Sequence, residues 1–332
     1  MIDPSFVIKC FAALAKELTF ENEILAAHIN RTYVENNWLT KENYSLALDA
    51  WRNDLTKEKL EEFAAPYSYC SSPKNIGIIM AGNIPLVGMH DLLCVLLSGN
   101  KAIVKPSSED KHVITYVCSL LSEMGLENRI AIVDKLEDID GVIATGSNNT
   151  FRYFEYYFRN TPSLLRKNRT SIAVLSGEET TEDLNNLAHD VFQYFGLGCR
   201  NVSNIFIPES INITHVLDNM MTYQHLSEHN KYANNYTYHR ALLLMNNEQH
   251  LDTGFALFKE RKELQVPLAC VNYYTYSNID EMTIFTKENK EDIQCVVGNY
   301  LDLCEVPYGK SQKPRLQDFA DNVDTFQFLN NL

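Results

Sequence analysis

The chain has 332 residues, 45% of them hydrophobic, which is enough for large cores and usually corresponds to two domains. Its formal net charge is −14 without a cluster of Lys and Arg, which argues against nucleic acids and anionic membrane surfaces as main partners. No apolar run approaches the roughly 18 residues that span a bilayer, and Asp3 and Pro4 stand where a signal peptide would be positively charged. We therefore expect a cytoplasmic protein without a membrane span.

The first seventy residues predict helices. Asp3 is a candidate N-cap and Pro4 occupies the first helical position, and apolar residues between positions 6 and 14 then recur at helical spacing. From Pro73 the pattern changes to short β-branched runs that alternate with helical stretches closed by glycine. These runs are NIGIIM at 75, KAIVK at 101, RIAIV at 129, GVIAT at 141 and SIAVL at 171. The alternation predicts βαβ units and an α/β fold with a mainly parallel sheet.

A capped helix is predicted over 181–195, and further candidate strands follow it. These strands are SNIFIP, RALLLM, LACVNYYTY and IQCVVG, separated by longer and more polar loops. They predict a second α/β unit. We therefore place N-terminal helices and a cofactor domain at 1–175, a catalytic domain at 176–310 and a C-terminal segment at 311–332.

Three strands of the first unit end in residues suited to binding a ligand. AGNIPLVG at 81 supplies Asn83, KPSSED at 105 supplies Lys105 and Ser107, and ATGSNNT at 144 supplies Gly146 and Ser147. Each motif alone is better explained as a loop that caps the next helix. Because the carboxyl ends of parallel strands meet at one edge of a sheet, the three together indicate a binding site there.

Other motifs predict no further nucleotide or metal site. The G-x-G at 196–198 follows a helix rather than a strand, and Asn201 stands where a dinucleotide fingerprint has its third glycine. YGKS at 308–311 lacks the first glycine of a phosphate-binding loop. His225 and His229 are four residues apart without an HExxH pattern, which favours a surface or substrate-pocket role over metal binding.

Cys199 lies just past a predicted helix, between glycine-rich backbone and a strand. Most cysteines in such positions are buried thiols, because reactivity requires a thiolate in a positive or hydrogen-bonding environment. Arg200 is adjacent, although consecutive side chains need not face the same way. The eight cysteines are scattered without a CxxC pair, so neither a disulfide framework nor a zinc knuckle is indicated.

In this order, AGNIPL, KPSSED, TGS and FGLGC resemble the signature of the aldehyde dehydrogenase superfamily, which carries an asparagine loop, a KPSE-type loop, a TGS turn and a nucleophilic cysteine. KELQVP at 262–267 is similar to that superfamily's EEIFGP motif. HNKYANNYTYHRALLLM and the closing VPYGKSQKPRLQDFADNVDTFQFL resemble LuxC-type fatty acyl-CoA reductases. The resemblance covers about residues 73–328. It implies an aldehyde-dehydrogenase-like fold, with a Rossmann-type cofactor domain and a second α/β catalytic domain.

The resemblance also implies roles for particular residues. Cys199 would be the nucleophile, and the Asn83 side chain and the Cys199 backbone amide would stabilise the oxyanion. The residues that would hold NADPH or NADH are Lys105, Ser107, Gly146, Ser147 and Glu263.

One departure from the superfamily affects the predicted reaction. Oxidising members activate water with the glutamate of an ELGGKSP motif, whereas LRKNRTS at 165–171 has no carboxylate. This absence fits reduction of an acyl-CoA or another acyl thioester to the aldehyde, through a cysteine thioester, rather than hydrolysis. Arg166 and Lys167 would either help bind a phosphate of coenzyme A or lie on the surface, and we favour the surface.

Two other functions stay open. The chain would oxidise an aldehyde to the acid if another base activated water, or it would be a non-catalytic scaffold in a complex with an acyltransferase or acyl-protein synthetase. A homo-oligomer is equally compatible with the sequence. Four tyrosines either line an acyl pocket or pack in the core: Tyr223, Tyr232, Tyr236 and Tyr238.

Overall fold

A computed structural model describes residues 3–70, 72–146, 148–300 and 302–332, without the side chains of 148 and 149. The chain divides into two compact units. The first comprises Met1–Asn168 and Arg315–Leu332, and the second comprises Arg169–Pro314. Among the described residues, no helix is both long and apolar enough to cross a bilayer.

The first unit begins with helices, as the sequence predicts. Its helices up to residue 168 are α1 (Pro4–Glu17), α2 (Glu23–Glu35), α3 (Lys41–Asp54), α4 (Lys57–Ala64), α5 (Met89–Leu97), α6 (Lys111–Leu121) and α7 (Asn148–Tyr157). Helix α1 starts where Asp3 accepts a hydrogen bond of 3.1 Å from the backbone amide of Ser5, with Pro4 at the first helical position. Its apolar face, which includes Phe11 and Leu14, is buried in the core of this unit.

The strands of the first unit form one parallel sheet. They are β1 (Asn75–Ile79), β2 (Lys101–Lys105), β3 (Ile130–Ile132), β4 (Gly141–Thr145) and β5 (Ser163–Arg166). The order across the sheet is β3-β2-β1-β4-β5, and each neighbouring pair is parallel. The direction of strand succession therefore reverses at β1, and open α/β sheets bind ligands beyond the carboxyl ends of the strands at such a switch point.

The second unit is also a sheet with helices. Its elements are β6 (Thr170–Val174), α8 (Thr181–Phe192), β7 (Val202–Pro208), α9 (Ile213–Met220), α10 (Asn230–Met245), β8 (Leu251–Asp252), β9 (Leu257–Glu260), β10 (Cys270–Tyr276), α11 (Ile279–Glu288) and β11 (Ile293–Gly298). The strand order is β11-β6-β7-β10-β9-β8, and the described pairs are parallel except for β8 with β9.

The segment RALLLM at 240–245 is helical, so its prediction as a strand is wrong. It forms the last part of α10, which begins where the His229 ring accepts a hydrogen bond of 3.3 Å from the amide of Tyr232. Ala, Leu and Met are strong helix formers without β-branching, and here only Leu243 is buried while Leu244 and Met245 are exposed. Periodicity alone does not separate a buried strand from a helical segment in a short apolar run such as this one.

The division of the chain falls earlier than the predicted boundary at 175. Strand β6, which contains SIAVL, pairs with β7 and β11 and therefore belongs to the second sheet. The closing residues return to the first unit, where α12 (Thr325–Asn330) contacts α5 and Phe326 stacks on Tyr67 with ring centroids 4.1 Å apart. The compact units thus divide at residue 168 and again at 314.

Candidate active site

The loop that carries Asn83 joins β1 to α5 and is fixed on both sides of that residue. On one side there is no room for a side chain at Gly82, because an added Cβ would lie 2.5 Å from the hydroxyl oxygen of Ser107. On the other side Leu86 has a left-handed backbone, with φ of 56°. Its amide donates a hydrogen bond of 2.9 Å to Oδ2 of Asp110. The half-buried Asn83 therefore lies on a short segment with two anchors.

The Asp110 anchor is a buried carboxyl at the end of KPSSED. The hydroxyl of Tyr44 in α3 donates a hydrogen bond to its Oδ1, and the Leu86 amide occupies Oδ2. Burial raises the pKa of Asp110 to about 7, although both hydrogen bonds favour the charged form. Burial also raises the pKa of Tyr44, so the phenol remains a donor. The sequence motif contained Asp110 but gave no reason to select it.

Lys105 and Ser107 lie at the carboxyl end of β2, next to the Asn83 loop. Lys105 is the half-buried last residue of the strand, in register with Ile79 of β1. The hydroxyl oxygen of Ser107 accepts a hydrogen bond of 3.2 Å from the amide of Glu109, so this side chain shapes the loop. The structure thus brings the first two predicted motifs into contact, through Gly82 and Ser107.

Gly146 follows β4 at the third predicted strand end. Its amide donates a hydrogen bond of 3.3 Å to the carbonyl oxygen of Arg166, which continues the pairing with β5. An added Cβ would lie 2.9 Å from the ring of Phe154 and 3.1 Å from Cβ of Thr150. Gly146 therefore permits close packing of α7, and its own amide is already engaged. The predicted Ser147 lies outside the described residues.

Cys199 lies in the second unit, in a turn between α8 and β7. It is half-buried and is a thiol rather than half of a disulfide. The preceding residues Tyr194, Phe195 and Gly196 all have left-handed backbone conformations, with φ of 54°, 61° and 75°. Left-handed backbone is unfavourable for residues that have a Cβ, so the surroundings must hold this turn in place.

Two buried residues provide those contacts. The side chain of Asn201 accepts a hydrogen bond of 2.8 Å at Oδ1 from the backbone amide of Gly198. Its Nδ2 donates to carbonyl oxygens at the end of α8. The hydroxyl of Ser171 donates a hydrogen bond of 3.0 Å to the Cys199 carbonyl oxygen. The same hydroxyl lies 3.2 Å from the sulfur of Cys295. The sequence patterns indicate Asn201 only as the residue that replaces the third glycine of a fingerprint, and they do not indicate Ser171.

The side chain of Arg200 binds a neighbouring loop. Its Nε donates a hydrogen bond of 2.6 Å to the carbonyl oxygen of Ser311. In the same loop the amides of Gly309 and Ser311 donate hydrogen bonds of 2.6 and 2.9 Å to the buried carboxyl of Asp190. Burial raises the pKa of Asp190. YGKS therefore gives two of its amides to a carboxyl of this chain, which agrees with its rejection as a phosphate-binding loop.

Several other cysteines have thiols of low acidity. Burial raises the pKa of Cys304 and of Cys270 to about 11, and that of Cys118 to about 12. It also raises the pKa of Cys10, Cys94 and Cys295. Because the thiolate is the nucleophilic form, these six are poor nucleophiles at neutral pH.

Glu263 extends from a loop whose backbone is fixed to the second sheet. Asn272 of β10 donates a hydrogen bond of 2.8 Å to the Glu263 carbonyl oxygen, and Asn204 of β7 donates one of 3.1 Å to that of Leu264. The two asparagines are partners in the parallel pairing of β7 with β10. The Glu263 side chain is 72% exposed and lies 3.8 Å from Arg261. A rigid backbone thus presents a solvent-accessible carboxylate.

Arg166 is neither on the surface nor available to a phosphate, which corrects the prediction. Its Nη1 lies 2.8 and 2.6 Å from the two carboxylate oxygens of Asp91 in α5. Its Nη2 donates a hydrogen bond of 3.0 Å to the hydroxyl of Thr325 in α12. Both charged side chains are more than nine-tenths buried. Lys167 is half-buried.

The four predicted pocket tyrosines have different environments. Tyr232 is fully buried, whereas Tyr238 is 60% exposed. The hydroxyl of Tyr236 donates a hydrogen bond of 2.6 Å to Asp252, and that of Tyr223 lies 2.7 Å from Nδ1 of His189. Of the four, only Tyr232 is in the buried core.

His225 lines an open cavity of about 380 Å³ together with Met221, Glu228 and Phe255. His229, by contrast, caps α10 through its ring. Within the part of the chain that the structure describes, no group of three or more His, Cys, Asp or Glu side chains is arranged to hold a metal ion.

Comparison with known proteins gives one family and one fold. Residues 36–286 match the acyl-CoA reductase (LuxC) family. The long-chain acyl-protein thioester reductase 2 of Photobacterium leiognathi is 24% identical over 54% of this chain, and the match spans 43% of that protein. The chain thus covers less than half the length of this curated relative.

Solved aldehyde dehydrogenases resemble both units. The NAD-dependent enzyme of Sinorhizobium meliloti has 11% identity and a TM-score of 0.67, over 91% of this chain and 71% of that one. The enzyme of Mycobacterium tuberculosis, solved with NAD+, has 13% identity and a TM-score of 0.66, over 91% and 74%. At these identities the likeness establishes the fold, and it confirms the predicted α/β class with a Rossmann-type domain and a second α/β domain.

Proposed function

The chain belongs to the LuxC family of acyl-CoA reductases, and from this membership we propose that it reduces an acyl thioester to the aldehyde with NADPH or NADH. The family match over residues 36–286 carries the proposal, because it includes the Asn83 loop and the Cys199 turn. The substrate is acyl-CoA or another acyl thioester, and Cys199 carries the acyl group between the two half-reactions.

Cys199 acts as the nucleophile. Its thiolate attacks the carbonyl carbon of the acyl thioester, a new carbon–sulfur bond forms, and the carbon–sulfur bond to the departing thiol breaks. The departing thiolate takes a proton, and the acyl group remains on Cys199. The resemblance assigns the Asn83 side chain and the Cys199 amide to the developing oxyanion, a role typically worth about 2.7–4 kcal/mol per donor.

The carboxyl edge of the first sheet supports the cofactor assignment. The ends of β1, β2 and β4 lie side by side at the switch point, with Ile79 in register with both Lys105 and Ala144. A nicotinamide dinucleotide bound there supplies a hydride for reduction of the acyl group. Lys105 binds its phosphate or ribose oxygens and Ser107 shapes the loop, while Gly146 lets α7 pack closely at the end of β4.

Two assignments at the cofactor site rest on the resemblance. Ser147 is proposed as an amide donor to the cofactor, and Glu263 as the acid that contacts a ribose. The exposure of the Glu263 carboxylate on a fixed loop supports its role.

The segment 165–171 supports reduction over hydrolysis. All charged residues of this segment are basic. Arg166 is buried against Asp91 rather than placed to activate water. Water is therefore not activated from this segment, and the acyl group persists on Cys199 until it is reduced or returned to a thiol.

The proposed function is tested by following oxidation of NADPH and NADH with acyl-CoAs of graded chain length and with an acylated protein thiol. Cys199→Ala is expected to lower turnover by more than about 1,000-fold. Cys304→Ala is the control, since it removes another half-buried thiol of the same unit whose pKa is raised to about 11. Without dinucleotide, intact mass should show one acyl adduct in the wild type and the control but not in Cys199→Ala.

Two outcomes contradict the proposal. Free acid formed from an aldehyde without coenzyme A would show an oxidising dehydrogenase. A Cys199→Ala variant that retains turnover would remove the nucleophile assignment, and retention of the cellular phenotype and complex formation would favour a scaffold.

The variant Lys105→Ala tests whether the dinucleotide binds at the carboxyl edge of the first sheet. Loss of a charged hydrogen-bond donor should weaken binding of the dinucleotide by about 10-fold or more, as measured by calorimetry. Lys101→Ala is the matched control, because Lys101 is exposed at the opposite end of the same strand. Equal affinity in the two variants would contradict the placement of the cofactor at the carboxyl edge.

A further inference from the structure

Asn201 occupies the centre of the Cys199 turn, and its side chain is almost completely buried. Its Nδ2 lies 3.1, 3.2 and 2.9 Å from the carbonyl oxygens of Asp190, Val191 and Gln193. Its Oδ1 accepts a hydrogen bond of 2.8 Å from the amide of Gly198, and its own amide donates one of 3.0 Å to the Gly198 carbonyl oxygen. One residue therefore joins the end of α8 to the residue before the nucleophile.

The end of α8 explains why an amide is needed at this position. A helix leaves its last carbonyl groups without partners, and the left-handed residues Tyr194 and Phe195 turn the chain away before a normal cap forms. A buried carbonyl without a donor is costly, and the NH2 group of Asn201 lies within hydrogen-bond distance of three such oxygens. Asn201 thus caps α8 from beyond the turn.

The other side of the turn is held by Ser171 at the start of β6. Its hydroxyl donates to the Cys199 carbonyl oxygen at 3.0 Å, and its amide donates to the Asn201 carbonyl oxygen at 3.3 Å. Cys199 is therefore enclosed between Gly198, which Asn201 binds, and its own carbonyl, which Ser171 binds. Both contacts come from buried side chains, and a hydrogen bond in such surroundings is electrostatically stronger than one in water.

We propose that Asn201 is the positioning residue for the nucleophile, with Ser171 as its counterpart on the opposite side of the turn. This inference rests on the proposed role of Cys199 in acyl transfer. Asn201 fixes the backbone on which the thiol is carried, so that the sulfur meets the acyl carbon in one orientation. A displacement of about 1 Å at a reacting group typically costs on the order of 100-fold in rate.

Asn201 also acts on the charge of the thiolate. The carbonyl groups at a helix C-terminus carry partial negative charge, which disfavours an anion placed just beyond it. The donors of Asn201 bind those carbonyls and reduce their field at the following turn. An aspartate at this position would keep the acceptor for Gly198, lose the donors and add a negative charge.

The test compares Asn201→Asp, Asn201→Ala and Ser171→Ala in the full chain. Asn201→Asp should lower kcat by on the order of 100-fold, with KM for the acyl thioester within about three-fold of wild type. The two alanine variants should lower kcat less, each by about 10-fold or more. Thr180→Ala is the control, because Thr180 caps the opposite end of α8 and its loss destabilises the same helix without touching the turn.

A second readout does not depend on reductase activity. The rate at which iodoacetamide alkylates Cys199 is followed from pH 6 to 10 by peptide mass spectrometry, and the midpoint should move to higher pH in Asn201→Asp but not in Thr180→Ala. Profiles of all three turn variants that superimpose on wild type, with unchanged kcat, would overturn the proposal. If the wild type reduces no acyl thioester but the alkylation profile still shifts, the proposed function fails and the positioning role stands.

Discussion

The loop of Asn83 and the turn of Cys199 are both held by buried polar side chains, but Asp110 in the first region and Asn201 in the second differ in kind. Asp110 holds the Asn83 loop with a carboxyl that accepts from the Leu86 amide and the Tyr44 hydroxyl. Asn201 holds the Cys199 turn with an amide that both donates and accepts. The difference follows from the groups that each region leaves without partners.

The groups that need a partner around the Asn83 loop are hydrogen-bond donors. Those around the Cys199 turn are mainly acceptors. A carboxyl suits the first because it accepts on both oxygens, whereas an amide suits the carbonyls at a helix end because it donates. The consequence is a difference in pH dependence. Burial penalises the charge of Asp110 and raises its pKa to about 7, while the amide of Asn201 does not titrate. The Asn83 loop should therefore respond to pH through its anchor Asp110, whereas the anchor Asn201 should add no pH dependence of its own.

The largest effect of a buried charge in the first unit is expected at Asp91. In Asp91→Ala the guanidinium of Arg166 stays buried without its partner carboxylate, which should lower the free energy of unfolding by about 3–5 kcal/mol. Urea denaturation measures this change. The control is Asp49→Ala, which removes a pair with Arg52 whose side chains are 49% and 64% exposed, and it should cost under about 0.5 kcal/mol. Equal costs for the two variants would contradict the importance of the buried charge.

The second prediction tests the Asp110 anchor through pH. Its folded-state pKa is about 7, above the ordinary 3.8, so the protonated carboxyl favours the folded state. The contribution is fully present below about pH 4 and is lost as pH rises through about 7. The stability of wild type relative to Asp110→Asn should therefore fall between pH 4 and 7, by at most about 1.4 kcal/mol per pH unit. Denaturation curves at four pH values measure the slope.

Two features of that measurement isolate Asp110. Other carboxyl groups titrate in both proteins and cancel in the difference, and Tyr44 remains protonated because burial raises its pKa. Asn201→Ala supplies the comparison from the other region, since its stability relative to wild type should be constant over the same interval. A difference that rises with pH for Asp110→Asn would show that its carboxyl is stabilised in the charged form.

Sequence patterns located the strand ends but not the side chains that hold the loops. The strands β1, β2 and β4 were predictable because each is a short β-branched run followed by a polar turn, and parallel pairing then places their ends together. Asp110 and Asn201 were not selected, because their roles depend on which backbone groups the folded turns leave without partners. Asn201 in place of the third glycine excluded a dinucleotide fingerprint, but it did not indicate that Asn201 holds the turn.

The sequence patterns also did not predict that the charge of Arg166 is buried or which sheet the strand SIAVL joins. LRKNR has the composition of an exposed loop, and the partner of Arg166 is Asp91, 75 residues earlier in the chain. The run SIAVL was correctly predicted as a strand, but local periodicity does not say which sheet a strand joins. Its pairing with β7 and β11 is set by contacts with residues after 200.

The smallest expected effects compare a glycine from each region. At Gly82 an alanine Cβ would meet the Ser107 side chain at 2.5 and 2.7 Å, so Gly82→Ala should cost about 1–3 kcal/mol by overpacking. At Gly196 the nearest atom to an added Cβ is the Val191 carbonyl oxygen at 3.4 Å, and the penalty of about 1 kcal/mol comes from its φ of 75°. Ser107→Gly should therefore rescue Gly82→Ala by opening space, whereas no neighbouring truncation should rescue Gly196→Ala. Unfolding free energies of the single and double variants measure both, and failure of Ser107→Gly to restore stability would show that the Gly82 constraint is not steric.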